Sequence, residues 1–298
     1  MMLMLLSVTV APGIDVFNKL AGQHVPPVEV AFFRFLVQAL LLLPFVALRG
    51  SLKQSFFGNP ALHMFRGFLL SLGMIAFATA LQAMDVADAI AIFFVEPAML
   101  TILGGIFLKE TIGWRRYLAC ATGFIGALFI IQPNFENVGW VALLPVVTAA
   151  CVAIFLLISR HLSAVEDPWS MQLQSGIWGG LFTLLIMALI ILADFQPWIP
   201  SVPEGKVWFY LVGTGVMATI SSLLGVASMR YAPASTLAPL QYMEIVSATI
   251  MVWFVFGNVL DGFKWLGVGI IVASGLFIIW RERQLKLEAK PLNVSNAP

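Results

Sequence analysis

Charge is what this sequence most lacks. Of its 298 residues only 10% are Asp, Glu, Lys or Arg, while 60% are hydrophobic. A soluble globular chain carries about 25% charged residues, because a surface facing water needs polar cover. A larger buried core does not close that gap, so the solvent for most of the surface is lipid. The net charge of +1 supplies no field to attract nucleic acid or an acidic partner. Cysteine is as scarce. Cys120 and Cys151 both stand in apolar runs, so neither a disulfide framework nor a paired-cysteine zinc site is expected. The three histidines, His24, His63 and His161, lie far apart and without metal-ligand spacing. No GxxxxGK followed by Ser or Thr occurs, and no HExxH or GxSxG. The chain is therefore not expected to hydrolyse ATP or to act as an enzyme, and no cofactor or metal is implied. Met1–Val10 lacks a basic leader and reads as the start of a membrane helix, not as a cleaved signal.

What is abundant is apolar sequence in long runs. A spanning helix needs roughly 20 such residues. Breaks such as Gly22–Pro27, Gln132–Phe135 and Asp167-Pro168 separate ten runs, over 2–20, 27–48, 61–83, 87–108, 115–132, 138–160, 169–193, 207–230, 234–256 and 264–281. The polar stretch 282–298 is expected to be a disordered cytoplasmic tail. Lys and Arg favour the cytoplasm. Even-numbered loops and the tail hold Arg49, Lys53, Lys109, Arg115, Arg116, Arg160, Arg230, Arg281, Arg283, Lys286 and Lys290, against Lys19, Lys206 and Lys264 in odd-numbered loops. The expected placement is the cell inner (plasma) membrane, multi-pass, with both termini cytoplasmic.

The two halves repeat. Ala127-Leu-Phe-Ile-Ile131 recurs 148 residues later as Gly275-Leu-Phe-Ile-Ile279, and the same offset pairs Glu96 with Glu244, Leu118 with Leu266 and Arg116 with Lys264. Five helices per unit force the second copy to enter the membrane from the opposite side. The expected domains are residues 1–135 and 136–281, as inverted repeats with a substrate site near the midplane.

Residues Phe94-Val-Glu-Pro-Ala-Met99, Phe107-Leu-Lys-Glu110, Gly123-Phe-Ile-Gly126 and Phe33-Arg-Phe35 resemble the EamA domain of the drug/metabolite transporter superfamily. The resemblance spans the chain as two tandem copies. It implies an all-α integral membrane protein of ten transmembrane helices, arranged around a central cavity. The second copy departs from the pattern where Ile245 follows Glu244 and where Phe256-Gly257-Asn258 fills the Leu-Lys-Glu slot.

Ionisable groups inside a membrane are costly and mark pathways. Glu96 and Glu244 fall near the middle of the fourth and ninth helices; each is either a proton-coupling carboxylate or a protonated group tying two helices together. Pro97 directly follows Glu96 and Pro239 lies one turn before Glu244, as kinks for packing or as hinges beside a site. Arg34, with Gln38 one turn on, faces an expected Asp15 in the first helix, as an outer gate or as an anchor for an anionic substrate group. Arg66 lies near a helix end, where snorkelling to the headgroups is expected. Gln172, Gln174, Trp178, Ser221, Ser222 and Gln241 are further cavity candidates, or simply close-packing residues. The function expected is secondary transport of a small organic metabolite, import or export, by alternating access, with protons as a possible coupling partner. The alternatives are an uncoupled facilitator or exchanger, and a polytopic enzyme acting on a lipid-linked substrate.

Overall fold

A computed structural model describes residues 1–50, 59–83, 86–108, 113–131, 139–196, 198–256 and 262–288. Thirteen α-segments account for ten traversals. They are α1 (Met2–Val10), α2 (Pro12–Ala21), α3 (Pro27–Leu48), α4 (Pro60–Ala83), α5 (Val86–Phe93), α6 (Glu96–Phe107) and α7 (Trp114–Ile131) in the first half. The second half holds α8 (Leu143–Leu162), α9 (Pro168–Leu192), α10 (Lys206–Met229), α11 (Ala234–Gln241), α12 (Met243–Phe256) and α13 (Gly262–Glu288). Five described stretches, 27–48, 60–77, 139–162, 168–192 and 206–229, are each long and apolar enough to cross a bilayer alone. The pairs α1/α2, α5/α6 and α11/α12 are single traversals with a break. The last helix runs to Glu288, so the start of the expected tail is helical. The expected domain junction at 135/136 and residues 289–298 lie outside the described residues.

Proline starts several of these helices and breaks others. Pro27, Pro60 and Pro168 open α3, α4 and α9, where a missing N–H costs nothing because the first turn has no acceptor for it. Pro97 stands in the first turn of α6, just after the break in α5/α6, and Pro239 lies inside α11 shortly before the break at Tyr242, where it removes a backbone donor.

Small residues set the helix crossings. Thr122 Oγ1 donates to Ser274 Oγ (3.2 Å), and a Cβ on Gly126 would stand 3.0 Å from Ile270. Partner numbers fall as residue numbers rise, so α7 and α13 cross antiparallel. At the offset of 148, residue 122 pairs with 270 and residue 126 with 274. The two contacts are thus one contact seen from each half, as a two-fold axis requires. Gln38 against Gln172 and Phe45 against Trp169 (ring centroids 5.3 Å apart) give the same relation for α3 and α9. There the offset is 141, set by Pro27 and Pro168 at the two helix starts. The inverted repeat of the sequence is thereby realised in space.

One expectation fails. Arg66 does not snorkel; it is 0% exposed. Its Nε donates to Ser159 Oγ (3.1 Å), its Nη1 donates to Met171 O (3.2 Å) and contacts His63 Nδ1 (3.2 Å), and the guanidinium carbon lies 4.8 Å from the Phe155 ring centroid. A ready set of acceptors and an aromatic face on α8 and α9 outcompetes the headgroups. Arginine only donates, so His63 Nδ1 accepts and its Nε2–H donates to Glu166 Oε2 at 2.7 Å. Asn59 Nδ2 donates to Glu166 Oε1 at 3.0 Å. Neighbouring Asp167 is turned to Arg49 (3.9 Å) at the rim.

Burial alone pushes the Glu166 carboxyl up, but hydrogen bonds from His63 and Asn59 and the Arg66 charge outweigh it and hold it below the usual carboxylate range. A depressed folded value contributes stability that is complete above the unfolded value of about 4.3 and is lost as pH falls through the folded one. Purified protein is expected to lose thermal stability between pH 5 and pH 3 in a step that Glu166→Gln removes. At pH 7 that variant is expected to be less stable by about 2 kcal/mol.

Candidate translocation site

Two helix breaks meet at the axis between the halves. The first interrupts α5/α6 at Phe94 and Val95; the second interrupts α11/α12 at Tyr242. Phe94 and Tyr242 are 148 residues apart and are therefore repeat mates. Their rings stack with centroids 5.9 Å apart, and Tyr242 Oη donates to the Phe94 carbonyl at 3.0 Å. Mates can touch each other only on or near the symmetry axis, so this pair locates it. Ala127, Ile245, Val246 and Ile271 pack around the pair, from both halves. Gly123 leaves the room: a Cβ there would stand 2.5 Å from the Tyr242 ring. Tyr242 was not singled out from the sequence, although the offset that pairs the glutamates also pairs it with Phe94.

Glu96 begins α6 directly after the first break. It is only 4% exposed, and its Oε1 has no hydrogen-bond partner among the described residues. Its repeat mate, Glu244, lies in the first turn of α12, just past the second break. The two glutamates therefore hold equivalent places, each in the first turn after a break. Gln241, the residue before Tyr242, adds a second buried oxygen without a donor, Oε1. Pro97 and Pro239 flank the same two breaks. Glu96 and Gln241 thus each present a buried oxygen without a donor among the described residues, which suits a proton, a cation or a donor-bearing ligand.

The remaining sequence candidates lie elsewhere. Arg34 is half-buried; its Nη1 donates to Met74 Sδ (3.1 Å) and its guanidinium carbon lies 5.3 Å from the Phe35 ring centroid. Gln38, one turn on, is turned to α9, where Nε2 donates to Gln172 O (2.8 Å) and to Gln172 Oε1 (3.1 Å). Gln172 in turn donates to Ser222 O (3.1 Å), so these amides form a strap across α3, α9 and α10. Ser221 is engaged with Ser7, accepting on its carbonyl at 2.7 Å and donating to Ser7 O at 3.1 Å, which ties α1 to α10. Gln174 is buried within α9, and Trp178 packs over Gly67 of α4. Asp15 is placed in α2, and its side chain lies outside the described residues.

Comparison with known proteins agrees with this architecture. A solved crystal structure superposes with a TM-score of 0.80 over 95% of this chain and 97% of its own, at 15% identity, a likeness of fold alone. The S-adenosylmethionine uptake transporter of Rickettsia felis is 32% identical over 283 residues, covering 94% of this chain and 92% of that protein. The riboflavin transporter of Vibrio cholerae serotype O1 is 30% identical over 269 residues, covering 88% and 86%. The profile of the EamA-like transporter family matches twice, over residues 1–132 and 139–280, one match for each half. This protein belongs to the EamA-like transporter family.

Proposed function

We propose that the chain is a proton-coupled secondary transporter of a small nitrogen-heterocyclic metabolite, working by alternating access about the paired helix breaks. Membership of a transporter family sets aside the enzyme alternative. The observation that carries the coupling is Glu96: a buried carboxyl with an oxygen unpartnered among the described residues, directly after a helix break, as its repeat mate Glu244 is. In this reading Glu96 carries a proton through the transport cycle. A substrate cation or amino group entering the site competes with that proton, which links the two fluxes. Gln241 offers an acceptor to the substrate, and the Phe94–Tyr242 pair gives the site an aromatic wall. Pro97 and Pro239 are the hinges. Arg34, with Gln38 behind it and Asp15 in the first traversal, belongs to the outer gate.

The substrate class is suggested by the relatives, named for S-adenosylmethionine and riboflavin. Both compounds join a planar nitrogen heterocycle to a flexible polar chain. The orientation follows from the distribution of Lys and Arg, with both termini on the cytoplasmic side of the inner membrane. Proteoliposomes with and without the protein, given radiolabelled S-adenosylmethionine or riboflavin, test the reading. At least one compound is expected to enter in a protein-dependent way, faster when the side opposite entry is the more acidic, because substrate exchanges for the competing proton. No protein-dependent entry of either compound, or of adenine and flavin derivatives offered alongside, would count against the substrate class.

A further inference from the structure

An inverted repeat makes two seams between its halves, one towards each membrane face, and symmetry would make them alike. In this protein they are chemically opposite. One seam joins α4 to the loop 163–167 and to α8 and α9; it holds Asn59, His63, Arg66 and Glu166. The other joins α10 to the loop 22–26 and to α2 and α3; it holds Val25, Val207 and Leu211 in one apolar cluster.

The positions correspond one to one. Gly67 of α4 packs on Trp178 and Gly215 of α10 packs on Val37. Gly215 follows Gly67 by 148 residues, while Trp178 follows Val37 by 141, the offsets already found for these parts of the fold. By the same offsets Asn59 answers to Val207, His63 to Leu211, Arg66 to Thr214 and Glu166 to Val25. Even the acceptor of the Arg66 Nε–H, Ser159, has its mate: Asn18, whose buried Oδ1 has no hydrogen-bond partner among the described residues. Among the described side chains, one seam carries a connected polar network in which only Arg66 Nη2 lacks a partner, and the other carries apolar contact and the unpartnered acceptor of Asn18. Polar contact near the second seam falls instead at the rim, where Ser201 N–H donates to Glu29 Oε2 at 3.0 Å.

We propose that Asn59, His63, Arg66 and Glu166 form a latch that biases the carrier towards keeping their face closed, while the aliphatic seam opposite separates more readily. Opening the polar seam pulls a buried guanidinium and carboxylate away from directional partners that lie on the other half of the repeat. Opening the aliphatic seam exposes apolar surface but breaks no such network. These four are positioning residues: they touch no substrate and act by setting which face the paired breaks are open to. The inference rests on the alternating-access reading above, and its test needs no transport.

Spin labels at Ala61 and Val165 report on the latch face, and labels at Gln23 and Val202 on the other, in a background of Cys120→Ala with Cys151→Ala. Distance distributions in detergent are compared between the parent and Glu166→Val with His63→Leu, which give the latch the residues of the seam opposite. The variant is expected to raise the ratio of open to closed molecules at the latch face by about tenfold, the worth of one or two buried hydrogen bonds. A matching fall is expected at the other face. The reciprocal variant, Val25→Glu with Leu211→His, is expected to lower the ratio of open to closed molecules at its own face, and a rise there would overturn the latch even if the first variant fails to fold. Unchanged distributions at both faces in the first variant, with the protein still folded and monodisperse, would overturn the latch. Failure of the transport reading would show separately, as absent uptake by the parent protein.

Discussion

Glu96→Gln is expected to abolish accumulation driven by a pH gradient while leaving exchange of substrate for substrate intact. Glutamine keeps the shape and one acceptor oxygen of the carboxyl but holds no exchangeable proton in the transport cycle. With one proton coupled to one substrate, a gradient of one pH unit is worth about 1.4 kcal/mol, or a tenfold accumulation ratio. The variant is expected to bring that ratio to one. Glu244→Gln leaves Glu96 in place, and coupling is expected to survive. Proteoliposomes loaded with unlabelled substrate separate the two readouts, because counterflow needs binding and conformational change but no gradient. Gradient-driven accumulation that persists in Glu96→Gln at the parent level would remove this residue from the coupling.

The second large effect is steric. A Cβ on Gly67 would stand 2.5 Å from Trp178 Cβ and 2.9 Å from the backbone nitrogen of Gly179. The backbone of a packed helix cannot retreat as a flexible side chain can. Gly67→Ala must therefore push α4 away from α9 and cut into the packing on which a membrane helix pair depends. A loss of about 3 kcal/mol is expected, at the upper end of the overpacking range. Gly215→Ala at the repeat mate is expected to cost about as much, because the nearest atom, Val37 Cβ at 2.4 Å, is fixed to its backbone and Cγ1 at 2.6 Å belongs to a stiff β-branched side chain. Gly269→Ala is the control: nothing lies within 4 Å, and its helix is expected to be neutral or slightly more stable. Thermal unfolding in detergent, followed by loss of the monodisperse peak, ranks the three.

The traversals were legible in the sequence because each is an apolar run closed by Gly, Pro or charge; of nine expected spans, six needed only their ends adjusted and three are broken into two helices each. The tenth, the last helix, extends beyond its expected end at 281 to Glu288, since Arg, Gln, Lys and Glu continue a helix in water as well as leucine does in lipid. The repeat was legible in its later helices, where the offset of 148 is carried by matching residues. It was not legible in α3 and α9, because the offset there changes to 141 and sequence likeness is gone. What survives is geometry: two prolines at helix starts and two mates packed face to face.

Side-chain partners were harder to foresee. Gln38 read as a companion of Arg34 and Ser221 as a cavity or close-packing residue; the hydrogen bonds to Gln172 and Ser7 add partners that no local pattern announces. Arg66 read as an interfacial cation because depth along one helix was the only guide. Its burial depends on Ser159 and Met171, about a hundred residues away, and no local pattern announces such partners. Glu96 and Glu244 stood out because an ionisable group in an apolar run is conspicuous in itself. That each follows a helix break was not legible, since no local pattern separates a broken traversal from a continuous one.

Alternating access at the paired breaks is the central claim, and Gln241 is placed to report on it. In the background of Cys120→Ala with Cys151→Ala, Gln241→Cys can be probed with a membrane-impermeant thiol reagent added to one side or the other of oriented vesicles. The account predicts modification from both sides, with substrate changing the two rates in opposite directions. Modification from one side only, with and without substrate, would contradict it.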